Sequence, residues 1–324
     1  MALPTPDDVR AAASRLSGRV VHTPLLRNAT LDRLAGAAVL IKPEALQRTG
    51  SFKLRGATNA VLGLADQARL GGVVTYSSGN HGQAVACAAA SAGIAATVVM
   101  PLDAPAIKRR ATETWGARVI AYDRLREDRE AIARGIAAES GAAIIPPFDH
   151  KLVIAGQGTL ALELFEDARA AGLVLDRLLV PAGGGGLIAG CALAAEAVSP
   201  GTLLHPVEPA GWDDTARSLA SGEILGNDGR GSLFCDALLS PRPGQMTFAI
   251  NRPRLAPGLV VSDDEVRAAM RFAFAELKLV IEPGGAVALA ALLAGKLAEA
   301  GGVIGIVLSG GNVDPAVAAA ILQG

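Results

Sequence analysis

Val180-Pro181-Ala182-Gly183-Gly184-Gly185-Gly186-Leu187-Ile188-Ala189-Gly190 passes from an apolar run of strand length into a helical one through four consecutive glycines. A glycine run between a strand and a helix leaves backbone amides free to face an anion, and a phosphate dianion suits such a nest. A flexible linker is the plain alternative, but linkers are not set between Leu178-Leu179-Val180 and Leu187-Ile188-Ala189. The stretch has a second reading. Gly184 to Ala189 matches G-x-G-x-x-A, and Glu208 ends the next apolar run about twenty residues on, as in a dinucleotide fingerprint. Taken alone, that spacing implies an NAD-dependent oxidoreductase.

The same alternation runs outward in both directions. Strand-length apolar runs, such as 72–76, 95–100, 117–122, 177–181, 203–208 and 303–308, are separated by alanine-rich helical stretches. Expected helices include 83–92, 106–115, 126–139, 158–171 and 187–197. Uninterrupted apolar strands separated by helices imply a parallel sheet covered on both faces, a doubly wound α/β architecture. Ser262 with Glu265 three residues on forms a capping box that opens a helix over 263–278. The polar stretch 221–232 reads as a surface loop, and Pro146-Pro147 as a hinge between two lobes.

Three more segments carry chemistry. Thr49-Gly50-Ser51-Phe52-Lys53-Leu54-Arg55-Gly56-Ala57 places a lysine at the start of a packed helix, where burial lowers an amine's pKa and makes it nucleophilic. A half-exposed lysine is the bland alternative. Tyr76-Ser77-Ser78-Gly79-Asn80-His81-Gly82-Gln83 follows a strand and opens a helix, so its amides can receive a substrate carboxylate; the alternative is a simple N-cap by Ser78 or Asn80. Val307-Leu308-Ser309-Gly310-Gly311-Asn312 ends a third strand, and Ser309 offers a hydroxyl to a neutral heterocycle nitrogen or a cap to the last helix.

Composition removes other classes of function. Thirty basic residues against 31 acidic ones create no field for nucleic acid or anionic lipid. No apolar run spans a membrane, and the polar N-terminus is no signal peptide. Cys87, Cys191 and Cys235 are odd in number and widely spaced, without a metal or disulfide pattern, which suits a reducing cytoplasm. With 51% hydrophobic residues but only 3% aromatic, the core must be aliphatic, with close approach helped by 38 glycines.

As a set, Ser51–Ala57, Ser77–Gly82, Gly183–Leu187 and Ser309–Asn312 resemble the fold type II pyridoxal-phosphate enzymes, in the threonine/serine dehydratase and serine racemase branch. The resemblance spans about Thr23 to Asp314. It implies two lobes, each with a mostly parallel sheet flanked by helices: a large cofactor domain of residues 1–68 and 149–324, and a small substrate-loop domain of 69–148. It implies that Lys53 binds the cofactor covalently, with Phe52 beside the ring, Asn80 on its 3-hydroxyl, Gly183, Gly184, Gly185 and Gly186 on its phosphate, Ser309 on its ring nitrogen and Glu282 near the ring. Ser77, Ser78, Gly79 and His81 would hold the substrate carboxylate, with Ser78 as acid/base on the face opposite Lys53. Glu208, Asp214 and the Trp212 carbonyl match the racemase branch's Mg²⁺ or Ca²⁺ site. Where the family has Asp-Gly, this chain has Asp236-Ala237, so Ala237 adds a methyl to the substrate pocket. The expected activity is a dehydratase (ammonia-lyase) of amino-acid catabolism, homodimeric and cytoplasmic. It would convert a small β-hydroxy amino acid to a 2-oxo acid and ammonia. A racemase with side eliminase activity is the alternative within the family.

Overall fold

The computed structural model describes residues 2–77, 79–104, 106–297 and 301–324. Nine strands are present among them: β1 (Ala38–Pro43), β2 (Val73–Tyr76), β3 (Ala96–Pro101), β4 (Arg118–Tyr122), β5 (Ala143–Ile144), β6 (Arg177–Pro181), β7 (Leu203–Pro209), β8 (Leu259–Val261) and β9 (Val303–Leu308). The helices are α1 (Pro6–Leu16), α2 (Ala29–Ala35), α3 (Lys53–Gly63), α4 (Ala65–Gly71), α5 (Asn80–Ala92), α6 (Ala106–Thr114) and α7 (Arg129–Ser140). They continue as α8 (Lys151–Ala170), α9 (Gly186–Val198), α10 (Asp214–Ser221), α11 (Gln245–Asn251), α12 (Asp263–Phe272), α13 (Pro283–Leu293) and α14 (Pro315–Gln323).

The strands form two sheets, as the resemblance implies. The larger runs β1-β9-β6-β7-β8 and the smaller β4-β3-β2-β5, and every pairing is parallel. Both faces of the larger sheet are buried, and side chains alternate between them at the two-residue period of a strand. Leu40, Leu178, Val180 and Val307 pack with α1, α8, α9 and α11. Val39, Ile41, Leu179 and Ile306 pack with α2, α12 and α13. The core of the smaller sheet draws Leu54, Ala57, Ala60 and Val61 from α3, alongside Val73 of β2 and Ala84 and Val85 of α5.

Helix ends follow their caps more closely than their apolar pattern. The expected start at 126 moves to Arg129 because Asp128 accepts from the amides of Glu130 and Ala131. The Ser262/Glu265 capping box opens α12, which passes into a π-helical turn, Ala273–Leu277, before Lys278 ends it with φ 59°. Helix α5 begins at Asn80, which therefore does not cap it, and the Ser78 alternative lies outside the described residues. Asp314, and not Ser309, caps α14. No helix of the described residues is long and apolar enough to cross a membrane.

Because the sheets are parallel, the loops that leave β2, β6 and β9 all emerge at carboxyl ends of strands, where α/β proteins build their sites. These are the loops that begin at Ser77, Ala182 and Ser309.

Candidate functional site

One cleft brings together Phe52, Lys53, Ser77, Gly79, Asn80, His81, Gly183 to Gly186, Ala237, Glu282 and Ser309. Ser78 lies outside the described residues. The turn carrying Lys53 is clipped to the loop after β9. Ser51 bridges Gly310, the Phe52 amide donates to the Ser309 carbonyl at 3.0 Å, and Gly311 N donates to Gly50 O at 2.8 Å. Lys53 therefore opens α3 directly beside Ser309.

Lys53 Nζ donates to the Pro147 carbonyl at 2.8 Å and lies 5.2 Å from the centroid of the Phe52 ring. Burial pulls its pKa down to about 8, although Glu282 opposes the shift. Glu282 is itself buried and pushed up to about 7, first by burial, with Lys108 opposing and Asp236 reinforcing the rise. The Asn80 side-chain amide donates to Glu282, and Asn312 Nδ2 donates to Asn80 Oδ1 at 2.9 Å. His81 is held neutral: burial and the Lys53 charge lower its pKa to about 3, and its Nε2 meets the Ile145 carbonyl at 3.1 Å.

The glycine loop is packed on all its outer sides. A Cβ on Gly184 or Gly186 would run into Phe148, and one on Gly183 would meet the Leu238 backbone. Gly185 has φ +86°, a conformation that favours glycine. Among the described residues, none of the four glycine amides donates within the protein, and the loop lines the cleft at the N-terminus of α9. Such a cradle fits a phosphate. Ser309 and the other cleft residues fit the remainder of a pyridine ring, and Lys53 fits its covalent partner.

Several lining residues were not singled out in the sequence, Lys108, Arg129 and Phe148 among them. Lys108 of α6 pairs with Asp236 at 2.5 Å and lies 3.7 Å from Glu282. Burial lowers its pKa, but Glu282 and Asp236 outweigh that and leave it raised. Arg129, the first residue of α7, stands over the Tyr76 ring, 5.5 Å from its centroid. Phe148 lines the cleft beside Pro147. Charged residues on a helix face carry no local sign of function, so only the fold could reveal them.

Glu208 is not available to a ribose, which removes the NAD reading. Its carboxylate is fully buried and accepts from Thr215 N at 2.9 Å and Ala216 N at 2.8 Å, at the start of α10. A profile of the family described as pyridoxal-phosphate dependent enzyme matches residues 16–310.

The chain belongs to the pyridoxal-phosphate dependent enzymes.

Within this pyridoxal-phosphate family, it is 44% identical to a Saccharomyces cerevisiae L-threo-3-hydroxyaspartate ammonia-lyase, over all of this chain and 98% of the relative. It is 45% identical to a Pseudomonas sp protein of the same name, over the full length of both. The structure of maize serine racemase superposes with a TM-score of 0.93 at 37% identity, covering 99% of this chain and 98% of the other. The fold is thus that of the fold type II pyridoxal-phosphate enzymes. Glu208, Trp212 and Asp214 lie away from the cleft. Among the described residues, no group of three or more His, Cys, Asp or Glu side chains gathers to hold a metal.

Proposed function

We propose that this chain is an ammonia-lyase for a 3-hydroxyaspartate, releasing ammonia and oxaloacetate. The observation that carries the choice of substrate is Arg129. A guanidinium lining the cleft suits a second carboxylate, which serine and threonine lack. The names of the relatives at 44% and 45% identity support the same reading. The bound cofactor supplies the electron sink that makes the substrate α-proton labile. Lys53 holds the cofactor and takes that proton at Nζ, a role its lowered pKa suits. Ser77, Gly79 and His81 would surround the α-carboxylate and Ser309 would meet the ring nitrogen; Ser78, outside the described residues, keeps the acid/base role that the resemblance implies. Asn80 and Glu282 flank the ring. A serine cannot keep that nitrogen protonated as an aspartate would, so the bound ring would be a weaker electron sink and would favour elimination over return of the α-proton. The β-hydroxyl would leave as water with the proton carried by Lys53 Nζ, and addition of water to the released enamine would give the 2-oxo acid and ammonia.

The test is a panel of L-threo-3-hydroxyaspartate, L-threonine and L-serine, scored for ammonia, 2-oxo acid and D-isomer. The reading requires the hydroxyaspartate to have the highest kcat/KM and Arg129→Met to abolish that preference. A preference for serine with D-serine as the main product would establish the racemase instead.

The Glu208 and Asp214 pair suits a cation. Burial, then the Asp214 charge, pushes Glu208 up to about 8, and burial pushes Asp214 up to about 6. Asp214 Oδ2 is buried without a hydrogen-bond partner. Two carboxylates and the Trp212 carbonyl, all oxygen, favour Mg²⁺ or Ca²⁺. Chelation that leaves both activity and melting temperature unchanged would remove this site. We assign the lobes to residues 1–68 with 149–324 and to 69–148, supported by all four strands of the smaller sheet lying between 73 and 144. A cytoplasmic, catabolic homodimer completes the reading.

A further inference from the structure

We propose that Thr247 and Asn251 of α11 are positioning residues that aim the glycine-loop amides at the cofactor phosphate. In a trans peptide the carbonyl and the next amide N–H point in opposite directions. A carbonyl held from behind therefore turns its partner amide forward. Thr247 Oγ1 donates to the Gly184 carbonyl at 2.8 Å, with the Gly244 carbonyl 3.1 Å away. Asn251 Nδ2 donates to the Gly185 carbonyl at 3.3 Å. The described peptides are all trans. These two bonds thus orient the amides of Gly185 and Gly186, the two that start α9. Thr247 is 0% exposed and Asn251 1%, and neither lines the cleft, so both act from behind the loop.

The helix that carries them is itself anchored. Asp149 accepts from Gln245 N at 3.1 Å and Thr247 N at 3.0 Å, and so caps α11 from another segment. The residue before it, Phe148, covers Gly184 and Gly186. The loop is thus held on one side by a ring and on the other by two side-chain donors. Gly185 is where α11 comes closest: an added Cβ would stand 2.9 Å from Asn251 Nδ2 and 3.1 Å from Thr247 Oγ1.

Because the claim concerns the phosphate, it separates two ligands of the full chain freed of cofactor: pyridoxal phosphate and pyridoxal, which lacks the phosphate. Thr247→Val keeps the shape and removes the donor. It should weaken pyridoxal phosphate by about tenfold or more, the effect of one lost buried hydrogen bond, and leave pyridoxal unchanged. The ³¹P resonance of the loaded variant should shift, and Thr247→Ser should restore both affinity and resonance. Asn251→Ala is read in the same way if Thr247→Val does not fold. Equal losses for the two ligands, or no loss for either, would overturn the assignment. The result does not depend on the substrate, so the hydroxyaspartate reading stands or falls separately.

Discussion

The proposed role of Lys53 as a base rests on surroundings that withhold water from its charge. With its pKa near 8, about half of the amine is neutral at pH 8, against under about one per cent for an ordinary lysine. Lowering the pKa of a cation favours the neutral form, and the neutral form attacks the cofactor aldehyde. Cofactor capture by the cofactor-free chain should therefore accelerate between about pH 7 and 9 and then level off. Stopped-flow absorbance checks this, and a rate still climbing at pH 10 contradicts it. Lys53→Ala should lower turnover by on the order of 10⁴-fold or more, since nucleophile and base are lost together. A residual activity of a few per cent would move the chemistry elsewhere. Ala237 lines the cleft, and its methyl lies against Gly284. Ala237→Gly should change discrimination between substrates by about 1–3 kcal/mol, read as ratios of kcat/KM across the panel. Lys53, Asn80 and Ser309 were legible because their neighbours in sequence are also their neighbours in the site. Lys108, Arg129, Thr247 and Asn251 were not, because each reaches the cleft or its loop from a segment with no distinctive local pattern.

At the scale of elements, the glycines inside helices mark where helices touch. Gly158 of α8 faces Gly190 of α9, and an added Cβ would run into the Gly190 carbonyl. Gly156 faces the Gly56 Cα across to α3. Such contacts are backbone against backbone, so no side chain can swing aside. Gly158→Ala gains helix propensity of under about 1 kcal/mol but overpacks a contact whose cost is about 1–3 kcal/mol. A net loss of stability is expected, measured as a lower urea midpoint. A midpoint equal to or above wild type would show that α8 and α9 can separate freely. The alternation of strands and helices, and the Ser262/Glu265 cap, were legible because they depend on near neighbours. The start of α7 was misplaced by three residues because the apolar pattern runs past the Asp128 cap.

Across the whole molecule, a buried ionic network ties the cofactor helix to the larger sheet. Arg55 of α3, fully buried, reaches both oxygens of Glu44 at 2.8 Å, as well as Glu163 of α8 at 2.6 and 2.8 Å. Lys42 of β1 joins the same Glu163 at 2.7 Å. Removing one member leaves a charge stranded away from water. Arg55→Ala should therefore cost about 3–5 kcal/mol in urea unfolding, and a cost below 1 kcal/mol would show that water reaches the site. By itself the sequence determined the α/β class and marked a glycine loop fit for phosphate and a lysine at a helix start as candidates, because each is a property of a few consecutive residues. It also admitted an NAD reading, because spacing alone cannot show where a carboxylate points. Only the tertiary structure turned Glu208 into the amides of α10. Only it set the order of the strands within the two sheets. It alone brought Lys108 to Asp236 and Glu282, each more than a hundred residues away in the chain. Those outcomes depend on long-range packing, which a linear pattern does not encode.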